Sequence, residues 1–212
     1  MKTLLAQPYF ACYIKKMGQQ DLTQIRDRIV EQALKAAAFD GWSLQTFQDA
    51  AETAGYTRHM VTAVFPGGLN EAMYHVSDYA DRQMLMHLQS TDPQDLRVRD
   101  RIRTAVLTRM DVLNPHKEAI RQLSSYYALP PRQPQAARLV WRTADRIWDW
   151  AGDTSQDYNY YTKRGLLSSV LTSTTLAWLG EEDTEMEETA AFLDRRIDNV
   201  LKLGGTIGKT IG

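Results

Sequence analysis

From Leu22 onward, apolar residues recur every three or four positions along most of the chain. That spacing puts them on one face of a helix, and nowhere does it give way to the strict alternation of a strand. Leu22, Ile25, Ile29, Ala33 and Ala36 predict a first helix that Asp40-Gly41 ends. Ser43 is the predicted cap of a short second helix with Phe47, Ala50, Ala51 and Ala54, which Gly55 breaks. Thr57 opens a third, with Met60, Val61 and Val64 inward, stopped by Pro66-Gly67-Gly68. A fourth starts at Asn70 and carries Met73, Val76, Ala80 and Leu88.

The later helices are marked by cap-and-proline pairs. Asp92-Pro93 opens one with Ile102, Val106, Met110 and Leu113, and Asn114-Pro115 opens one with Ile120, Leu123 and Tyr127. Pro130-Pro131 and Pro134 break the chain before a long helix through Ala137, Trp141, Ala144, Trp148 and Ala151. After a turn at Gly152–Ser155, Asp157 or Ser155 caps a helix running through Tyr161, Arg164, Leu167, Leu171, Thr174 and Trp178. Thr184 with Glu187 reads as a capping box for the last helix, which holds Ala190, Leu193, Ile197, Val200 and Leu201 and stops at Gly204-Gly205. The expectation is an all-α bundle of about nine helices.

Composition adds mainly exclusions. The 212 residues suffice for one sizeable core or a small module fused to a larger one. With 25 Lys+Arg against 26 Asp+Glu, the net charge of −1 gives no general pull toward a polyanion. One cysteine, Cys12, rules out a disulfide within the chain and reads as an inert leader residue. No apolar run approaches the roughly 18 residues of a membrane span. Residues 1–20 read as a leader unlike the rest, with Met17 an alternative start. Residues 21–68, 69–205 and 206–212 then read as an N-terminal module, a larger helical domain and a flexible tail.

Catalytic signatures do not appear. His59, His75, His87 and His116 form no His-Glu-x-x-His pair, and Glu71 to His75 has the wrong spacing for a di-iron bundle. There is no nucleophile elbow, and Gly67-Gly68 leads to Leu69 rather than Lys-Ser/Thr. The sequence reads as non-enzymatic, with no metal and no cofactor.

The segment Gly41–Gly68, helix, Ala54-Gly55, helix, Phe65-Pro66, resembles the helix-turn-helix of TetR repressors. A recognition helix needs cations for phosphate, yet between Asp40 and His75 the chain sets Asp40, Asp49, Glu52 and Glu71 against Arg58 alone. The expectation is a TetR-like fold that does not bind nucleic acid. A TetR-like regulator with a hydrophobic ligand pocket is the alternative reading.

A second segment stands out: Trp148, Trp150, Tyr158, Tyr160 and Tyr161 crowd a helix end, a turn and a helix start. Aromatics flanked by charge suit a protein–protein hot spot. The string Trp148-x-x-Ala-Gly-Asp-x-Ser-x-Asp-Tyr-Asn-Tyr-Tyr-Thr-x-Arg164 is similar to the signature of the coenzyme Q biosynthesis protein nine family. The Leu-rich helix that follows it and Phe192–Ile197 extend the likeness, from about Asp21 to Leu203. The resemblance implies a homodimeric, lipid-binding accessory protein that presents an isoprenoid ubiquinone precursor to a di-iron demethoxyubiquinone hydroxylase. It implies docking through Asp157, Tyr160, Tyr161 and Arg164.

It also implies transient contact with a membrane surface: the bacterial inner membrane from the cytoplasm, or the matrix side of a mitochondrial membrane. The amphipathic C-terminal helix of many members is not expected from Thr206–Gly212, which offers only Ile207, Ile211 and Lys209. For the lipid, the residues singled out are Met110, Leu123, Tyr127, Trp141, Leu167, Leu171 and Trp178. Each of these could equally fill an ordinary core.

Overall fold

A computed structural model describes residues 18–211, with side chains up to Lys202. The leader residues 1–17, with Cys12 and Met17, lie outside the described residues, as do the side chains of the tail. Among the described residues the fold is nine α-helices with short 3₁₀ turns and no strand. The helices are α1 (Gln19–Asp40), α2 (Leu44–Thr53), α3 (Arg58–Val64), α4 (Leu69–His87) and α5 (Val98–Leu113). They continue as α6 (Lys117–Tyr127), α7 (Gln133–Trp150), α8 (Tyr158–Gly180) and α9 (Glu187–Ile211).

The chain forms two compact units. One takes the chain up to Tyr79 together with His116–Ala128, so α6 returns to the N-terminal helices; the other takes Ala80–Pro115 and Leu129 onward.

In the first unit α1 packs on α2 and α6. Ile25, Ile29, Val30, Ala33, Leu34 and Ala37 are buried, as are Phe47, Ala50 and Ala51 of α2 and Met60, Val61 and Val64 of α3. Burying a side chain the size of Phe47 stabilises by about 1.5–3 kcal/mol. Trp42, Phe47, Phe65 and His75 pack in a row, tilted or edge to face, with ring centroids 5.6, 5.9 and 5.8 Å apart. The Trp42 indole N–H donates to the Ala119 carbonyl at 2.8 Å, tying α6 to the corner between α1 and α2. Arg26 donates to the Val64 carbonyl at 2.6 Å and pairs with Glu71 at 2.9 Å, which satisfies an orphan carbonyl at the end of α3. Ser43 caps α2 through the Thr46 N–H, as its position predicts, and Gly55 turns with φ +84°.

In the second unit α7 packs on α8, α8 on α9, and α5 against all three. Trp178 is fully buried, and its N–H donates to the Asn114 side chain at 3.2 Å. Asp81 is buried beside Arg109 at 2.9 Å and accepts from Thr143.

Several helix ends differ from expectation. Thr57 makes no side-chain cap for α3. Asp92 caps the 3₁₀ turn Pro93–Asp95, and α5 begins only after Arg97. Asn114 is spent on Trp178 and on the Thr184 carbonyl rather than on a cap. The start of α9 is capped by Glu181, whose carboxylate accepts from the Glu188 and Thr189 N–H groups at 2.9 Å each, not by Thr184. The backbone of α9 also continues through Gly204-Gly205 to Ile211, past the stop read from those glycines. A glycine pair in a helix costs about 1 kcal/mol per residue, which weakens a helix without ending it.

Candidate functional site

The aromatic segment forms the corner between α7 and α8. The Asp153 N–H bonds the Trp148 carbonyl at 2.9 Å and the Gly152 N–H bonds Asp149 at 3.1 Å, the paired closure of a Schellman motif. Its left-handed residue is Gly152 at φ +82°, where a Cβ would meet the Gln94 amide nitrogen at 3.3 Å. Arg101 of α5 fastens the turn by donating to the Ala151 carbonyl at 2.7 Å. Asp157 then caps α8, accepting from the Asn159 N–H at 2.9 Å.

Arg164 anchors this corner. Its side chain is 2% exposed and faces three carboxylates: Asp145, Asp149 at 3.3 Å and Asp153 at 3.0 Å. Asp145 and Asp149 sit one turn apart on α7, so a single guanidinium fork bridges α7, the turn and α8. The Tyr160 hydroxyl donates to Asp145 at 3.0 Å, and the Arg164 guanidinium carbon lies 3.5 Å from the Tyr160 ring centroid.

Next to Arg164 in sequence, Lys163 donates to Asp153 at 2.6 Å and to Ser155 at 2.8 Å. Its ammonium lies 5.4 Å from the Trp148 ring centroid, and the Trp148 indole donates to the Lys163 carbonyl at 3.1 Å.

The carboxylates respond to these neighbours. Burial pushes the Asp153 carboxyl up, but hydrogen bonds from Lys163, Ser155 and Arg164 and the Lys163 charge outweigh it and hold it at about 2. Burial and the like charges of Asp145 and Asp153 push Asp149 above the ordinary range, against the pull of Arg164. The Asp145 hydrogen bond raises the Tyr160 phenol, which stays a donor. Burial works against the Arg164 charge, yet its carboxylate partners raise its pKa.

An apolar cavity of 290 Å³ opens in the same unit. Val98, Arg99 and Ile102 of α5, Trp148 of α7, and Lys163, Leu166, Leu167 and Val170 of α8 line it. Ile197, Val200 and Leu201 of α9 complete the lining. Arg99 pairs with Asp198 and, at 3.6 Å, with Asp194, which also takes Arg103 at 2.9 Å. Both cations of the lining, Arg99 and Lys163, are therefore matched by carboxylates of the chain, and the rest of the wall is hydrocarbon. The volume sits at the lower edge of small-molecule sites, which run from about 300 to 1,000 Å³. It suits a segment of an uncharged chain.

The residues predicted as a docking patch are brought together, in different roles. Asp157 is exposed at the helix cap, and Tyr161 is 63% exposed, with its ring 6.4 Å from that of Trp141. Tyr160 is half-buried, and Arg164 is inside, so it supports the surface from behind. Tyr158, at 65% exposure, belongs to that surface. It was an evident neighbour in the sequence, with no pattern to separate it from core.

The seven residues singled out for lipid are dispersed. Leu123 and Tyr127 belong to the first unit and the other five to the second. Met110 and Trp178 are fully buried core. Leu167 alone of the seven lines this cavity. Sequence reasoning missed Trp148 and Lys163 as lining. Their signal was their place in the aromatic segment, one helix turn from residues that look outward.

Comparison with known proteins places the segment in context. The COQ9 family model matches residues 133–204, which contain the whole α7–α8 corner. The chain is 28% identical over 193 residues to ubiquinone biosynthesis protein COQ9, mitochondrial, of Rattus norvegicus, covering 86% of this chain and 61% of that protein. It is 26% identical to the Homo sapiens protein of that name, covering 86% and 59%, and 29% identical to that of Drosophila melanogaster, covering 92% and 60%. The chain thus spans about three fifths of the length of these relatives. In fold it is similar to a TetR transcriptional regulator from Nitrosomonas europaea, with a TM-score of 0.66 at 22% identity over 84% of this chain and 98% of that one. The fold is TetR-like, and by its sequence the chain is similar to the COQ9 proteins, with the family model matching residues 133–204.

Proposed function

We propose that this chain is a non-enzymatic accessory protein of ubiquinone biosynthesis. It holds the isoprenoid tail of a quinone precursor in the cavity between α5, α8 and α9 and presents it to a di-iron hydroxylase. The role in ubiquinone biosynthesis is supported by the likeness to the COQ9 proteins. The observation that supports the lipid is the cavity itself, apolar in lining and with its two cations matched from within. Tyr158, Tyr161 and Asp157 supply the exposed docking surface, and Tyr160 and Arg164 hold it in shape. On this reading the chemistry belongs to the partner.

The protein works as a homodimer that touches a membrane surface transiently to collect its ligand. Among the described residues no helix is long and apolar enough to cross a membrane. Relatives are named as mitochondrial; the corresponding place for this chain is the matrix side, or the cytoplasmic face of a bacterial inner membrane.

A regulator that binds DNA fits less well. Arg58, the cation at the start of α3, pairs with Asp49 and lies 3.8 Å from Glu52. A cation held by two carboxylates is poorly placed to release counterions from a phosphate backbone. Co-purification tests the proposal. The hydroxylase should be retained by this protein and lost when Tyr158 and Tyr161 are both changed to Lys, with bound lipid unchanged. Equal retention by the variant would move the docking surface elsewhere.

A further inference from the structure

The Asp153 carboxylate serves two neighbours that face different ways. Residues 163 and 164 are about 100° apart around α8. Lys163 therefore reaches the cavity wall, with its ammonium over Trp148, while Arg164 reaches the tyrosines, with its guanidinium against Tyr160. One oxygen of Asp153 takes Lys163 at 2.6 Å and the other takes Arg164 at 3.0 Å. The Asp153 side chain is 4% exposed, so water competes little for either oxygen. The cavity and the tyrosine surface thus share one buried carboxylate.

We infer that filling the cavity with an isoprenoid chain is felt at the tyrosine surface through this link, so that a partner can distinguish the loaded protein from the empty one. The inference rests on the cavity being the lipid site. A chain entering beside Trp148 displaces the indole or the Lys163 stem. That changes the bond Lys163 makes to Asp153, and Asp153 re-balances against Arg164. Tyr160 and Tyr161 then shift, because Tyr160 is bound to the same guanidinium and Tyr161 meets Tyr160 ring to ring at 5.1 Å. Coupling of this kind is reciprocal: what tightens the tyrosine surface also changes affinity for the chain.

The test uses farnesol, an uncharged isoprenoid, and the whole protein labelled with fluorotyrosine. The Trp148 emission, taken as the difference from Trp148→Phe among the five tryptophans, reports cavity filling, and fluorine NMR reports the tyrosines, assigned by Tyr→Phe variants. In the native protein farnesol should change both signals with the same midpoint. Asp153→Asn lies outside the cavity lining and removes the charge that Lys163 and Arg164 share. In that variant farnesol should still change the Trp148 emission while the Tyr160 and Tyr161 resonances stay put, and a helical circular dichroism spectrum confirms that the variant is folded. Native resonances that do not move at saturating farnesol, or that move equally in Asp153→Asn, overturn the coupling and leave the cavity reading standing. Farnesol that leaves Trp148 unchanged overturns the cavity reading, and the coupling with it.

Discussion

The guanidinium carbon of Arg164 lies 3.5 Å from the ring centroid of Tyr160, and both groups share Asp145 as a partner. An arginine that looks from the sequence like a surface contact is the buried support of one. Replacing it removes a cation that three carboxylates share. Arg164→Met should destabilise the protein by about 3 kcal/mol, the low end for breaking a buried pair, because Asp145 and Asp149 keep access to water. Arg164→Lys should recover little of this, since an ammonium cannot span three separated carboxylates. Urea unfolding measures both.

Asp153 makes a prediction about acid. Its carboxyl is held at about 2 against an ordinary 3.8, so the native state favours the ionised form. That contribution is complete above pH 4 and is lost as the pH falls toward 2. Stability of the native protein should therefore drop across that window more steeply than that of Asp153→Asn. Parallel curves for the two proteins would mean that Asp153 does not govern this part of the acid response.

Gly152 is held at φ +82° with the Gln94 amide close to where a Cβ would stand. Gly152→Ala should cost about 1–2 kcal/mol for the left-handed backbone alone. Gly165 is helical, with nothing near a built Cβ, and Gly165→Ala should be neutral or stabilising by up to about 1 kcal/mol. Thermal unfolding of the pair separates the turn requirement from a general response to lost glycine.

The ion pairs from Arg99 and Arg103 to Asp194 and Asp198 hold the α9 wall of the cavity to α5, and they are partly exposed. Exposed pairs contribute less than about 1 kcal/mol each and weaken with salt. The double change Asp194→Asn and Asp198→Asn should leave helicity intact and speed farnesol uptake several-fold. It should also remove the salt dependence of uptake. Stopped-flow Trp fluorescence reads the rate, and unchanged rates would mean that the wall does not open at α9.

The helices were legible because each is specified locally. The spacing of Ile25, Ile29 and Ala33, the cap at Ser43 and the stop at Gly55 lie within a few residues of what they control. Where a helix end depends on a distant side chain, the local signal misleads. Glu181 caps α9 from seven residues away, and Arg26 satisfies the end of α3 from 38 residues away. The site shows the same division. Asp157, Tyr160, Tyr161 and Arg164 are collected at one corner, but which face water depends on α7 placing Asp145 and Asp149 opposite Arg164. A list of large apolar residues could not locate the cavity, because filled core and open wall use the same side chains. Trp148 and Lys163 line it through a turn that no periodicity describes.

The cavity between α5, α8 and α9 is proposed to carry an isoprenoid lipid. Native mass spectrometry with lipid extraction tests it on the purified protein and on Val170→Phe, which fills the cavity from α8. A polyprenyl lipid should be bound to the native protein and lost from the folded variant. A native protein without lipid, or a folded variant that retains as much as the native one, would contradict it.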